Sequence, residues 1–179
     1  MRIETERLVI TEFDISMAES VHRGSLDEDN RRFVPDEVFE TVEEAAETVG
    51  YLIGCRKSGR GPQVCPVLLR DGTYVGYVQA VPTGEGEWEI GYHIAGGYTG
   101  RGYATEAVRA FLPAMLDALG TDRMTGICLA DNLASVRVME KCGFVKQFEG
   151  QGNYQGSERR ICRFLYVRRG TAEQTENAR

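Results

Sequence analysis

The sequence predicts an α/β fold on a mixed, mainly antiparallel sheet of six to seven strands, and three features point there. Ahead of residue 95 the chain shows short runs of period two separated by turn residues, the pattern of a meander. From Glu87 to Ala107 an alternating segment, a glycine-rich turn and the opening of an amphipathic helix follow one another without a break. Beyond that helix come one more strand, one more helix and a closing pair of strands.

Taken in order, residues 7–13 read as a first strand, and Asp14 is placed to cap a helix carrying Ala18 and Val21. Residues 27–40 are polar and contain Pro35, so a loop is expected. Thr41 and Glu44 form a capping-box pair ahead of Val42, Ala45, Ala46, Val49 and Leu52 or Ile53, the spacing of one helical face. Residues 59–62 make a turn and 64–70 a strand. Asp71-Gly72 is a hairpin signal before a strand over 73–80, and 82–86 connects to the strand that starts at Glu87. Four strands therefore precede the glycine-rich turn. A helix starts near Ala104, and Pro113 should kink or shorten it. Residues 123–129 return as a strand, 132–141 form a helix with Gly143 as its C-cap, and 144–149 and 160–167 are strands around a polar loop containing Tyr154. The tail 170–179 is polar and expected to be flexible, leaving one domain over residues 1–169.

In the central stretch Trp88, Ile90, Tyr92 and Ile94 alternate with Glu87, Glu89, Gly91 and His93, which puts carboxylates on a single strand face. Ala104, Ala107, Val108, Phe111, Leu112, Met115 and Leu119 then mark one buried helical face. Between them, residues 96–103 lie where a helix offers unpaired N–H groups and the positive end of its dipole, and where glycines admit a ligand close to the backbone. This turn is built for an anion, phosphate first. It is not a P-loop, because Tyr103 and Ala104 follow Gly102 where Lys and Ser or Thr are required. A dinucleotide fingerprint needs a third glycine at position 105, which is Thr105; Asp122, about 20 residues on, is the one feature in its favour.

The wording of the region resembles the acetyl-CoA-binding motif of the GNAT superfamily of N-acetyltransferases, in its RimJ/RimL-type branch. The matching residues are Glu89-Ile90-Gly91-Tyr92 and Gly100-Arg101-Gly102-Tyr103-Ala104-Thr105-Glu106-Ala107. Asn132, Ser135 and Glu140-Lys141-Cys142-Gly143-Phe144 are similar to a second element of the branch, and Thr5 to Leu8 (T-E-R-L) to its opening. Thr99 departs from the Gln or Arg that many members have there. The resemblance implies a GNAT fold with helices on both faces of the sheet, and acetyl transfer from acetyl-CoA directly to a primary amine, on a protein N-terminus or a small molecule. It also implies that the segment between the first two strands, with Arg31, Arg32, Phe33, Asp36 and Glu37, shapes the acceptor pocket.

Composition agrees with such a partner. The chain has 179 residues, a net charge of −6 and 42% hydrophobic residues. The negative balance argues against nucleic acid as principal ligand and suits a cationic acceptor. No stretch approaches the ~20 apolar residues of a membrane span, and the N-terminus lacks the apolar core of a signal peptide. A cytoplasmic protein, monomer or homodimer, is expected. Five cysteines without a C-x-x-C pair fit reduced thiols, and with only two histidines no metal is expected.

Acetyl transfer to an amine needs a held thioester, a neutral nucleophile and stabilisation of the oxyanion. By the resemblance, backbone N–H groups from Gly100 through Thr105, including Arg101, Gly102, Tyr103 and Ala104, take the pyrophosphate. His93, Ile94 and Ala95 face the pantetheine arm, and Asn132 contacts the coenzyme. Glu89, on the open strand face, is the first candidate for the base, with Glu87 and His93 sharing that face. Many members place a tyrosine acid where this chain has Met139, so Ser135 or Tyr154 is left to protonate the thiolate. That departure also motivates a rival reading, a non-catalytic acyl-CoA-binding or sensor domain.

Overall fold

The computed structural model describes residues 1–84 and 86–168. An eight-stranded sheet runs through it in the order β1 (Ile3–Glu4), β2 (Leu8–Ile10), β3 (Gln63–Leu69), β4 (Tyr74–Gly84), β5 (Glu87–Ile94), β6 (Arg123–Leu129), β8 (Ser157–Val167) and β7 (Val145–Tyr154). All neighbours are antiparallel except β5 and β6, which are parallel. The sheet is thus mixed and mainly antiparallel, one strand larger than the upper expectation, because two-residue β1 pairs Ile3 and Glu4 with Ile10 and Val9. Five strands, not four, precede the glycine-rich turn.

Alternation along β4 and β5 divides the molecule into two cores. Val78, Ala80, Ile90 and Ile94 are buried with α4 (Tyr103–Leu119), whose Ala107, Val108, Phe111, Leu112 and Met115 belong to the apolar face read from the sequence; Leu116 is buried beside them, while Ala104 and Leu119 are only partly buried. On the opposite side Val21 of α1 (Ala18–Ser25) and Ala45 and Val49 of α3 (Val42–Ser58) form a smaller core with Phe13, Phe39 and Tyr74. Tyr77 and Gln79 pair with His93 and Gly91, so these four and Glu89 share the α1/α3 side of the sheet.

Pro113 does not shorten α4; the helix runs unbroken to Leu119. Pro113 lies on the exposed side, so the Arg109 carbonyl it leaves without a helical partner faces water, while buried Phe111, Leu112, Met115 and Leu116 hold the turns around it. Residues 27–40 are not a plain loop. Asp27 caps α2 (Glu28–Phe33), its Oδ1 accepting from the Asn30 N–H at 2.8 Å, and Pro35–Glu37 make a 3-10 turn. The first long strand is shorter than expected, and β4 continues through Pro82 to Gly84, beyond the expected start of the connection. Tyr154 closes β7 rather than sitting in a loop. Thr41 caps α3 by accepting from Glu44 N–H, but the return bond runs from Glu40 N–H to the Glu44 carboxylate, one residue outside the expected box. The domain boundary at 169 and the tail 170–179 lie outside the described residues. No helix among the described residues is long and apolar enough to cross a membrane.

Candidate active site

β5 pairs with β4 along its whole length but with β6 only at Glu89 and Ile90, opposite Thr125 and Gly126. Past Ile90 the two parallel strands diverge, leaving a gap that opens into a cleft of about 920 Å3. Ala95 N–H donates to Val75 O at 2.9 Å, so the antiparallel ladder turns the odd-numbered groups of β5 toward β4 and the even-numbered ones, Tyr92 and Ile94, toward the gap. Of the three backbone positions expected to face the pantetheine arm, Ile94 turns its polar groups to the gap, whereas those of His93 and Ala95 are turned into the sheet.

The turn closes the other end of the cleft. After a 3-10 turn at Gly96–Tyr98, Gly100 and Gly102 have φ of +74° and +81°, the left-handed region in which a side chain is strained. Gly102 is the N-cap of α4 and no side chain caps the helix. The first helical bond runs from Glu106 N–H to Gly102 O, so the N–H groups of Tyr103, Ala104 and Thr105 point out of the helix start. The motif's Glu106 does not face the cleft as a ligand. It accepts from Thr5 Oγ1 at 2.6 Å and Arg7 Nε at 2.7 Å, and Arg7 Nη1 donates to Arg101 O. Burial acts to raise this carboxyl, but the hydrogen bonds of Thr5 and Arg7 outweigh it and hold it below the usual carboxylate range. The opening T-E-R-L segment thus clamps the turn, a link between two motif elements that neither reveals alone. Arg101 itself is exposed, its Nη2 donating to Gly97 O.

Across the gap, α5 (Leu133–Lys141) presents its N-terminus. Asn132 Oδ1 accepts from Ser135 N–H at 3.1 Å, and Ser135 Oγ lies 2.9 Å from Tyr92 Oη, which also donates to Ser135 O. Tyr92 spans the splay and joins the two elements flanking it; sequence reasoning listed it only as a buried-face residue. Burial pushes its phenol well above the ordinary value, with the Ser135 bond opposing. Met139 is 1% exposed, and its Cε packs where a side chain on Gly126 would have to stand. The position of the family's tyrosine acid is therefore part of the core.

The α1/α3 side of the cleft gathers ionisable groups. Burial raises Glu89 to about 7, with Arg163 opposing. Burial likewise raises Glu37 to about 7, against the Gln79 side chain and with Asp36 adding to the rise. Two carboxyls poised near neutrality line one cleft, which is the range a general base at pH 7 requires. Glu37 was grouped with the acceptor segment but not read as a base; nothing in its local sequence signals burial. Gly91 makes room for the Gln79 side chain, whose Nε2 would be 2.6 Å from a Cβ there. Tyr154 Oη donates to Phe33 O at 3.2 Å, and burial pushes its phenol up to about 12. Burial lowers the pKa of His93, against the pull of Asp27 and Asp29. Asp27 Oδ2, which accepts from Gly96 N–H, ties α2 to the turn.

Residues 7–145 match the model of the acetyltransferase (GNAT) domain. The uncharacterized N-acetyltransferase YnaD of Bacillus subtilis (strain 168) is 31% identical over 149 residues, spanning 82% of this chain and 84% of YnaD. Among solved structures, a GNAT-family acetyltransferase from Bacillus anthracis superposes with a TM-score of 0.80 at 26% identity, over 93% of this chain and 98% of that one. RimL, the ribosomal L7/L12 alpha-N-protein acetyltransferase, in complex with coenzyme A, shares the fold with a TM-score of 0.81 at 18% identity, over 94% and 98%. With the family model spanning most of its length, the chain belongs to the GNAT family and is an acyltransferase.

Proposed function

We propose that the protein transfers the acetyl group of acetyl-CoA directly to a primary amine. The observation that carries this is the uncapped start of α4 behind two left-handed glycines, at the mouth of the β5–β6 gap. In this reading the N–H groups of Gly100 to Thr105 hold the pyrophosphate, the edge of Tyr92 and Ile94 pairs with the pantetheine arm, and Asn132 borders the coenzyme from α5. Acetyl-CoA supplies the thioester. Ile94 N–H faces its carbonyl oxygen, where one such hydrogen bond is worth roughly 3 kcal/mol in other enzymes. Glu89 or Glu37 takes the proton of the amine. The Tyr92–Ser135 pair or Tyr154 returns one to the leaving thiolate. The acceptor is a protein N-terminus or a small-molecule amine. The dinucleotide fingerprint is not met, since Thr105 stands where its third glycine belongs.

The five described cysteines are all free and buried, which suits a reducing compartment; with that we place the enzyme in the cytoplasm, as one domain over residues 1–169. Thermal unfolding with acetyl-CoA, NAD and ATP tests the donor. At a hundred times its Kd the true ligand adds about 2.7 kcal/mol, which for this size raises Tm by roughly 5–10 °C. Stabilisation by acetyl-CoA alone is expected; protection by NAD in its place would overturn the reading. The buried Met139 favours one alternative, a coenzyme-binding module without turnover. Tight acetyl-CoA binding with no thiol release across a broad amine panel would establish that alternative.

A further inference from the structure

Two thiols that the acetyl-transfer chemistry does not use stand in register. Cys128 of β6 is the direct partner of Cys162 of β8, and the residues of such a pair project from one face of a sheet. Here that is the α4/α5 face, where both are buried in the main core. The other cysteines have no such neighbour: Cys65 pairs with Val78, Cys55 lies in α3 and Cys142 is the C-cap of α5. Ala130 N–H donates to Arg160 O at 2.9 Å. Hydrogen-bonded pairs recur at every second residue of an antiparallel ladder, so Cys128 and Cys162 form one too, with Cα atoms about 5.5 Å apart. That separation lies within the ~4.4–6.8 Å that a disulfide spans. We propose that Cys128 and Cys162 are a reversible redox pair, and that their disulfide draws β6 away from the gap between β5 and β6. The bond itself is independent of the acetyl-transfer reading; its effect on the coenzyme rests on that reading.

The two sulfurs differ in access. Cys128 is a wall residue of the cleft and Cys162 is not, so a small disulfide entering the cleft meets Cys128 first. The Cys128 thiolate attacks one sulfur of that oxidant and releases one thiol. The Cys162 thiolate then attacks Cys128 Sγ and releases the second. Two protein thiols become one disulfide, the oxidant is reduced to two thiols, and the two protons lost by the cysteines are taken up by the departing thiolates. Burial pushes the Cys128 thiol up to about 11, with the Ser135 hydroxyl opposing, and raises Cys162 as well. The first step is therefore slow at neutral pH and quickens as pH rises. Closing the bond also moves the sheet. Opposite Cβ atoms in a ladder stand roughly 5 Å apart, whereas a disulfide needs about 3.8 Å, so one strand must shift. β8 is held on both sides, by β6 and by β7. Past Gly126, β6 has parted from β5 and keeps β8 as its one strand neighbour among the described residues. β6 therefore yields, which widens the gap beside Asn132 and Ser135. Such a strained bond is readily reduced, which keeps the change reversible.

Treating the folded protein with millimolar bis(2-hydroxyethyl) disulfide at mildly alkaline pH tests this. Intact mass should fall by two hydrogens with no adduct retained, and a digest should join the peptides carrying Cys128 and Cys162. In Cys162→Ala the reaction should stop at the mixed disulfide, with half of the reagent left on Cys128. In Cys128→Ala, Cys162 should stay unmodified. By calorimetry the oxidised wild type should bind acetyl-CoA several-fold more weakly than the reduced protein, and dithiothreitol should restore the affinity. A bond from Cys128 to Cys142, a lasting adduct on wild-type Cys128, or no reaction at all would overturn the proposal. So would equal acetyl-CoA affinity in the two redox states. A reduced protein that binds no acetyl-CoA would strike the donor reading instead, and the digest alone would then uphold or overturn the pair.

Discussion

On the α4 side of the cleft, the groups free to bind are backbone: the N–H groups of Tyr103 to Thr105 and the edge of β5 at Tyr92 and Ile94. On the α1/α3 side they are side chains, those of Glu37, Gln79, Glu89, His93 and Tyr154, drawn from a 3-10 turn and three strands. A backbone cradle is fixed by glycine dihedrals and a helix start, so a dozen consecutive residues specify it and no partner side chain need be found. A side-chain cluster exists only once distant segments have packed, and its chemistry comes from burial that no local sequence states. The first device suits a coenzyme shared by a whole family, the second an acceptor that differs from member to member.

The contrast breaks most sharply at Gly102. Gly102→Glu puts a side chain into a φ of +81° and a negative charge at the helix start, costing about 1–2 kcal/mol of stability. Acetyl-CoA should then no longer raise Tm, although binding of an amine to the opposite wall survives. Retained acetyl-CoA affinity would show that the cradle lies elsewhere.

Glu89→Gln and Glu37→Gln probe the side-chain half. Removing the true base should lower kcat by roughly 10²-fold or more, with acetyl-CoA binding preserved. Wild-type turnover should rise through about pH 7, where these carboxyls ionise. In the variant lacking the base that inflection disappears, and rate returns only as the amine itself loses its proton, at about pH 8 to 10. Whichever substitution leaves both kcat and the inflection intact clears its residue. Stability moves oppositely. Each carboxyl holds its proton more tightly in the folded protein, near 7, than at its ordinary value of 4.5. Its contribution is complete below pH 4.5 and is lost as pH rises through 7, on the order of 1–3 kcal/mol for each group. Either Gln variant should therefore be more stable than wild type at pH 8, and a wild type with flat stability from pH 5 to 8 would refute the raised values.

A smaller effect is expected where the two halves are tied to the frame. Glu106→Gln loosens the Thr5–Arg7 clamp on the turn, costing roughly 1–2 kcal/mol and several-fold in acetyl-CoA affinity without changing the pH profile. A shifted profile would mean that Glu106 acts on the chemistry.

The two kinds of construction explain what could be read in advance. The period of residues 87–94, the glycines at 100 and 102 and most of the buried face of α4 are local, and they appear in the structure as the sequence states them. Arg123–Leu129 was bounded to the residue for the same reason. In residues 27–40 polarity and Pro35 signal a loop equally well, yet Asp27 caps a short helix and Pro35 opens a 3-10 turn. Glu37 went unread as a base because its raised pKa arises from burial by residues far along the chain. The partnership of Tyr92 with Ser135 spans 43 positions, and the one between Tyr154 and Phe33 spans 121; neither has a sequence pattern to announce it. Tyr92 could have been suspected from its polar tip alone, since a buried phenol seeks a hydrogen-bond partner.

That partnership sets the smallest effect. Ser135→Ala leaves the α5 cap in place, because Asn132 Oδ1 takes the backbone N–H of residue 135 rather than its side chain. Tyr92 Oη also keeps the residue's carbonyl as acceptor, at 3.0 Å. Stability should change by less than about 1 kcal/mol. If the phenol delivers the proton to the thiolate, turnover falls only a few-fold in Ser135→Ala but by roughly 10²-fold in Tyr92→Phe, the range expected for loss of a general acid. A reversed order would transfer the role to the serine hydroxyl and make Tyr92 a positioning residue. Equal, small losses in both would remove the pair from the proton path and leave Tyr154, on the side-chain half of the cleft, to supply it.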